Sequence, residues 1–141
     1  MEYKIKMQVL NIEECGFHLI VKSKINQANG IVLIDTGASN SIFDLNLEGL
    51  DKNKLNLIEN EHSASGFNST IENIYLGTIE IFKLGRYKFC VNTAIFTPLD
   101  HINSVYQSIG LPNILGIIGC DFLLQYNAII NIEEKYLFLK K

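Results

Sequence analysis

The residue in this sequence that is best placed for chemistry is Asp35, a carboxylate that directly follows the short apolar run at residues 31–34. Aliphatic, largely β-branched residues over this length predict a strand that is buried on both faces. A charged side chain at the end of such a strand is costly to bury unless it is paired or hydrogen-bonded. The next residues can supply those bonds, because Gly37 lets main-chain N–H groups approach the carboxylate and Thr36 has a hydroxyl for a symmetric contact. We therefore take Asp35 as the candidate catalytic group.

Other ionisable residues have weaker claims to a functional role. Asp121 is a second carboxylate that a fold could bring to Asp35 within one chain, although its position favours the capping of a helix. His18, His62 and His101 do not have the spacing of metal ligands. The sequence also has no phosphate-binding loop, dinucleotide fingerprint or serine-hydrolase motif. No metal and no cofactor are therefore expected.

The composition indicates a globular protein, with 48% hydrophobic and 19% charged residues. A length of 141 residues fits one domain, so residues 1–141 are predicted to form a single domain. The net charge is −3 without a basic block, which argues against nucleic acid as a partner. No apolar run reaches the roughly 18 residues of a membrane helix, and the first residues lack the apolar core of a signal peptide.

The cysteines indicate the redox environment. The chain has three cysteines, Cys15, Cys90 and Cys120. Their odd number and wide spacing favour reduced thiols over disulfides. Cys90 and Cys120 lie in apolar runs, and this predicts that both are buried in the core. Together with the lack of a secretion signal, these thiols favour a cytoplasmic location.

Most of the chain has the residue pattern of strands. The alternation of apolar and polar residues from Tyr3 to Val9 predicts one half-buried strand. Residues 17–25 are predicted as a second strand, which a turn at residues 26–30, with its Asn-Gly pair, connects to the strand that ends at Asp35. Further strands are predicted at residues 77–82, 87–96, 114–119, 128–132 and 136–139. Short helices are predicted at residues 44–50 and 100–108, with Asp44 and Asp100 as caps, and from around Asp121.

Residues 57–76 have apolar positions on both sides of a polar centre of small residues, which predicts a hairpin. Ser65, Gly66 and Phe67 lie at its tip. Glycine and serine at the tip suggest the mobility that a lid over a bound substrate needs. An ordinary surface hairpin is the alternative.

The residues around Asp35 resemble the Asp-Thr-Gly-Ala active-site loop of retropepsin-like aspartic proteases, the retroviral-type family. Ile117-Ile118-Gly119 and the helix start that follows resemble the hydrophobic-hydrophobic-Gly element that closes the active site in that family. Chain length and element order are similar to the bacterial, single-lobe branch. The resemblance assigns the active-site loop to Thr36, Gly37 and Ala38, the flap to Ser65, Gly66 and Phe67, and the supporting second loop to Ile117, Ile118 and Gly119. It implies a mainly β, closed barrel-like acid-protease fold with two or three short helices and a flap hairpin.

The sequence departs from the viral members of that family. Those members usually carry an arginine after the second-half glycine and an acidic residue just past the catalytic loop, where this chain has Cys120 and Ser39-Asn40. The ion pair that braces the viral dimer is therefore expected to be absent, and the dimer contact must be made otherwise. The flap assignment rests on position in the chain, because Gly66 is the single glycine there.

Peptide hydrolysis by this chemistry needs two carboxylates on one water, one as general base and one protonated to polarise the scissile carbonyl. The chain has one Asp-Thr-Gly, so the second carboxylate must come from another copy, and counting carboxylates predicts a homodimer. The resemblance agrees and implies an aspartic endopeptidase that acts on polypeptides. Ala38 brings no hydroxyl to stabilise the ionised form, so we expect a working pH between mildly acidic and neutral.

Two other functional classes remain open. One is a catalytically silent module of the same fold that binds peptides or dimerises. The other is a chain that rests as a monomer and is activated only when it pairs with itself or with a larger protein. If the chain is a protease, either as a homodimer or as a monomer that is activated by pairing, Ile42, Phe67 and Ile117 could line substrate subsites or simply belong to the core.

Overall fold

The computed structural model describes residues 1–12, 16–59 and 74–141, and over these residues the chain is built mainly from strands. The strands are β1 (Glu2–Lys6), β2 (Gln8–Ile12), β3 (Gly16–Ile25), β4 (Ala28–Ile34), β5 (Ile42–Asp44), β6 (Ile58–Glu59), β7 (Tyr75–Leu84), β8 (Tyr87–Thr97), β9 (Ile114–Ile118), β10 (Ile129–Asn131) and β11 (Tyr136–Lys140). The helices are α1 (Asp100–Ser108), α2 (Cys120–Gln125) and a short 3₁₀ helix (Lys52–Leu55). The predicted flap tip at Ser65, Gly66 and Phe67 lies outside the described residues.

Six of these strands form a closed barrel, which confirms the predicted barrel-like, mainly β fold. Their order is β3-β4-β9-β5-β8-β7, and β7 pairs with β3 at residues 23–25 to close the ring. β4 runs parallel to β9, and β5 runs parallel to β8. β6 pairs with β7 and so forms the described base of the predicted lid hairpin.

Aromatic side chains form much of the core. The ring of Phe43 lies 5.4 Å from that of Phe82 and 5.8 Å from that of Phe96, measured between centroids. Phe122 on α2 contacts Phe82 edge-on at 5.9 Å, an arrangement that ring quadrupoles favour. These contacts anchor α2 to the barrel core.

The predicted strand at residues 3–9 is wrong as a single element, because the chain divides at Met7. β1 pairs with β11, whereas β2 pairs with β3 in the other sheet. Met7 is fully buried, and its N–H donates to the carbonyl of Lys135 at 2.8 Å. The alternation of side chains continues through Met7, so the local pattern contains no sign of this change of partner.

The predicted hairpin before Asp35 is present, but its turn is shorter than expected. The turn lies at Asn26, which has a positive φ of 48°, and the chain is back in strand from Ala28. The Asn-Gly pair that was expected to form the turn is instead inside β4. Gly30 is needed there for space, since a Cβ would lie 2.4 Å from the carbonyl oxygen of Asn113.

The helix predicted at residues 44–50 is wrong. Asp44 ends β5 and is only 2% exposed. Its carboxylate accepts hydrogen bonds from the N–H of Leu99, the N–H of Asn46 and the side-chain amide of Asn103. Asp44 therefore fastens the start of α1 to the barrel. If Asp44 capped a local helix instead, the buried donors of Leu99 and Asn103 would lose this acceptor.

The predicted helix at residues 100–108 is present as α1, and Gly110 follows it with a φ of 78°. Asp100 lies in its first turn, while the capping position is held by Leu99 without a side-chain bond. The predicted burial of both apolar-run cysteines is wrong for Cys90, which is exposed, and Cys120 is partly buried. Cys90 lies on β8, where successive side chains point to opposite faces.

A second, three-stranded sheet has the order β1-β11-β10, so the last predicted hairpin is present. β11 has neighbours on both sides, which leaves the edges of this sheet to β1 and β10. Among the described residues there is no helix long and apolar enough to cross a membrane.

Candidate active site

The parallel pairing of β4 with β9 places Asp35 at the shared carboxyl end of the two strands. Ile34 lies opposite Ile118, and the N–H of Asp35 donates to the carbonyl of Ile118 at 2.9 Å. The Asp35 side chain is exposed to solvent in the single chain. In the single chain, Asp35 therefore does not incur the free-energy cost of burying a charged carboxylate.

The loop after Asp35 turns back onto its carboxylate. The N–H of Gly37 donates to Oδ1 of Asp35 at 2.8 Å, and the N–H of Ala38 donates to the Asp35 main-chain carbonyl at 3.2 Å. A Cβ on Gly37 would lie 3.1 Å from Oδ1, which is close for an ordinary contact. The small residues at 37 and 38 therefore allow a tight loop that fixes the carboxylate orientation.

Gly119 lies directly under this loop. A Cβ at residue 119 would lie 2.6 Å from the carbonyl oxygen of Ala38 and 2.9 Å from that of Asn40. The N–H of Cys120 donates to the carbonyl of Ala38 at 2.8 Å, and its thiol donates to the carbonyl of Thr36 at 3.1 Å. The structure thus brings together the two loops that the sequence singled out, at residues 36–38 and 117–119.

Ser41 and Asp121 tie the far end of the loop to α2. The Ser41 hydroxyl donates to Oδ1 of Asp121 at 2.7 Å, and the Ser41 N–H donates to the same oxygen at 2.9 Å. That hydroxyl also accepts the N–H of Gly119 at 2.9 Å. The sequence did not predict this clamp. The one local signal for it was the Ser41 hydroxyl, six residues after Asp35.

Asp121 does not hold the capping position of α2 as the sequence predicted, and its Oδ1 accepts hydrogen bonds from Ser41. The capping position belongs to Gly119, while Asp121 lies in the first turn and accepts the N–H of Phe122 at 2.8 Å. The remaining predicted positions are hydrophobic. Ile118 is fully buried, and Ile117 is half-buried opposite Ile42 on β5.

An open cleft of about 400 Å³ begins at Asp35. Its described lining is Phe17, His18, Leu19, Leu33, Ile34 and Asp35. Nδ1 of His18 is hydrogen-bonded to the hydroxyl of Tyr106 on α1. The sequence did not single out His18 for a site, because 88 residues separate it from Tyr106.

No group of three or more histidine, cysteine, aspartate or glutamate side chains in the described part of the chain is arranged to hold a metal ion. Within the described residues, Asp35 gives this site a hydrogen-bonded carboxylate that is open to solvent beside an apolar cleft.

Solved structures are similar to this chain in their overall fold. A crystal structure of a retropepsin-like aspartic protease from Rickettsia conorii superposes with a TM-score of 0.52 and 16% sequence identity, covering 99% of this chain and 90% of that one. The chain has a retropepsin-like fold. The retroviral protease-like domain of Ddi1 from Leishmania major is a second similar structure, with a TM-score of 0.49 and 18% identity over 86% of this chain and 87% of that one. No family model and no curated protein sequence matches this chain.

Proposed function

We propose that this chain is an aspartic endopeptidase whose catalytic dyad consists of Asp35 from each of two protomers. The observation that carries the proposal is the ordered, exposed Asp35 carboxylate, bonded by the N–H of Gly37 on a loop that Gly119 supports. The retropepsin-like fold supports the same interpretation, since the solved neighbour from Rickettsia conorii is described as an aspartic protease.

The reaction follows from the two carboxylates. Held about 3 Å apart, they share one proton, because two negative charges at that distance repel each other strongly, as in other aspartic protease dyads. The ionised carboxylate takes a proton from water as the water oxygen attacks the peptide carbonyl carbon, and the protonated one donates to the carbonyl oxygen. In the second step, the carboxyl group that took the proton donates it to the amide nitrogen, and the other carboxylate accepts a proton from a hydroxyl of the tetrahedral intermediate as the C–N bond breaks. The dyad again holds one proton, and the net change is the addition of one water.

One chain has one Asp-Thr-Gly, so the second copy completes the site. Asp35 and Thr36 are exposed in the single chain and are therefore available to a partner across a twofold axis. The Thr36 hydroxyl would bond its counterpart on that axis. Burial of the dyad between two protomers would exclude bulk water from the peptide bond, which strengthens electrostatic stabilisation of the transition state.

The contact surface for the second copy lies beside the loop. The Cys120 thiol contacts Thr36, and Leu124 lies one helical turn further on the same side of α2. Leu124 is 76% exposed and is therefore available to a partner that approaches this side of the loop. We assign Leu124 to the homodimer interface.

The substrate would be a polypeptide in extended form, lying across the dyad and contacting the cleft beside Asp35. Half-buried Ile42 and Ile117 are close to the loop on β5 and β9 and remain candidates for subsite walls. The free thiols of Cys90 and Cys120 suit a reducing compartment, and we propose a cytoplasmic location.

The deciding experiment compares the wild type with Asp35→Asn on a peptide library. Cleavage by the wild type that disappears in Asp35→Asn, with fold and dimerisation retained, would support the proposal. A protein that dimerises and binds peptides but cleaves none of them would be the silent module instead. Sedimentation at several protein concentrations tests whether the chain rests as a monomer. The cleavage activity of such a chain would rise with the square of protein concentration while only a small fraction is dimeric.

A further inference from the structure

His18 is the one polar side chain, apart from Asp35, among the described residues that line the cleft. We propose that Nε2 of His18 hydrogen-bonds a substrate side chain next to the scissile bond. The protease would then prefer a residue there with an apolar body and a polar tip, such as tyrosine or glutamine, over phenylalanine or leucine. This inference rests on the endopeptidase function proposed above and adds a determinant of its specificity.

The strand register places His18 beside the catalytic carboxylate. β3 and β4 are antiparallel, with Ile20 opposite Leu33. The pairing of the two strands ends there, and two residues further along each chain are His18 and Asp35, which line the same cleft. Because both side chains line this cleft, a substrate that reaches Asp35 through it passes His18.

The imidazole ring is held in place from behind. Nδ1 is hydrogen-bonded to the Tyr106 hydroxyl, and the two rings stack with centroids 5.9 Å apart at an angle of 26°. Tyr106 is only 2% exposed and packs in an apolar cluster with Ile20 and Ile114. A ring that is fixed before substrate arrives loses little conformational entropy on binding. Its hydrogen bond therefore contributes more to the free energy of binding.

The bond to Tyr106 also decides which ring nitrogen is available. Nδ1 and Nε2 lie on opposite sides of the imidazole, so Nε2 is directed away from Tyr106. His18 makes no second side-chain hydrogen bond within the described residues, and it is half-buried at the cleft wall. Nε2 donates or accepts according to the tautomer that the Nδ1 contact selects.

The other lining residues set the shape of the preferred side chain. Leu19, Leu33 and Ile34 give the cleft apolar walls, and Phe17 is 74% exposed at its edge. A volume of about 400 Å³ accommodates a large side chain. One polar atom within apolar walls selects a ligand whose hydrogen-bonding group lies at the end of an apolar body. Tyrosine and glutamine have that form, and each can donate or accept.

The test uses a peptide that the wild type cleaves, synthesised with tyrosine, phenylalanine, glutamine or leucine at each position flanking the scissile bond. We expect the wild type to prefer tyrosine over phenylalanine at one position by about fivefold in kcat/KM, as for one net hydrogen bond. His18→Gln should retain the preference, because its amide reaches the place of Nε2. His18→Asn mimics only Nδ1 and should lose it, while still cleaving the phenylalanine peptide.

Tyr106→Phe tests Tyr106 as a positioning residue, and it should lower the ratio of kcat/KM on the tyrosine peptide to kcat/KM on the phenylalanine peptide. His101→Gln, at an exposed histidine on α1, is the matched control and should keep the full preference. A tyrosine preference that survives in His18→Asn, with thermal unfolding as in the wild type, overturns this inference alone. Absence of cleavage by the wild type overturns both this inference and the proposed function.

Discussion

The hydroxyl of Ser41 donates to Oδ1 of Asp121 at 2.7 Å and accepts the N–H of Gly119 at 2.9 Å, so one side chain joins the end of the candidate active-site loop to the start of α2. Ser41 is 7% exposed, and 80 residues separate it from Asp121. The clamp acts on the loop that carries Asp35 without touching Asp35 itself.

Replacement of Ser41 by alanine should destabilise the protein and lower its activity. The change leaves the buried N–H of Gly119 without a partner, at a cost of about 1–3 kcal/mol in the free energy of unfolding. The loosened loop should also lower kcat, since catalysis depends on the placement of the carboxylate. Urea unfolding and peptide-cleavage kinetics measure the two effects.

Ser104→Ala, at an exposed hydroxyl on α1 that bonds only His101 among described groups, is the control and should change stability by less than about 0.5 kcal/mol. Equal stability of the two variants would contradict the clamp.

Asp44 should contribute more to stability than an exposed carboxylate. Asp44→Ala removes the acceptor for the N–H of Leu99 and for the amide of Asn103, both of which are buried. Hydrogen bonds to a charged group make larger contributions than neutral ones, so we expect a loss of about 3 kcal/mol. Asp51→Ala removes the cap of the 3₁₀ helix at an exposed site and should lose only about 1 kcal/mol. Thermal and denaturant unfolding of the two variants gives the comparison, and a reversed order would show that Asp44 is not the anchor of α1.

Leu124→Glu should weaken the proposed homodimer. If Leu124 lies in the interface, the substitution replaces an apolar contact with a charge and sets it near its symmetry mate, which costs several kcal/mol. An increase of about 100-fold in the dimer dissociation constant is expected, with activity lost at protein concentrations where the wild type is dimeric. Sedimentation equilibrium measures the constant. Val105→Glu, at a 44% exposed position on α1, is the control and should leave the constant unchanged. Unaltered dimerisation of Leu124→Glu would place the interface elsewhere, without bearing on whether Asp35 is catalytic.

Tyr126 should make the protein less stable at high pH. Burial raises the pKa of Tyr126 above its ordinary value of 10.0, and the nearby Tyr3 and Cys90 act in the same direction. The unfolded chain therefore loses this proton at a lower pH than the folded chain. The contribution to stability is full below about pH 10 and declines as the pH rises beyond it. Tyr126→Phe should show a shallower decline in the free energy of unfolding between about pH 9 and pH 11. Identical slopes for wild type and variant would contradict the effect.

Local signals in the sequence were sufficient to predict the surroundings of Asp35. An apolar strand that ends in a carboxylate, followed by Thr36, Gly37 and Ala38, contains within a few residues all the groups that form the loop and its bond from Gly37. Most strands and α1 could also be predicted, since side-chain alternation and helix signals act over short distances.

The tertiary structure decided what depends on groups far apart in the chain. The break at Met7, the role of Asp44 in place of a helix cap, the clamp between Ser41 and Asp121, and the pair of His18 with Tyr106 all require partners from other elements. A buried polar group must find a hydrogen-bond partner, but the choice of that partner depends on which strands meet when the barrel closes. The sequence alone determined a candidate acid and its loop, because those interactions are local. Only the closed barrel determined what holds the loop and what lines the cleft beside it, because those contacts exist only after distant segments have packed together.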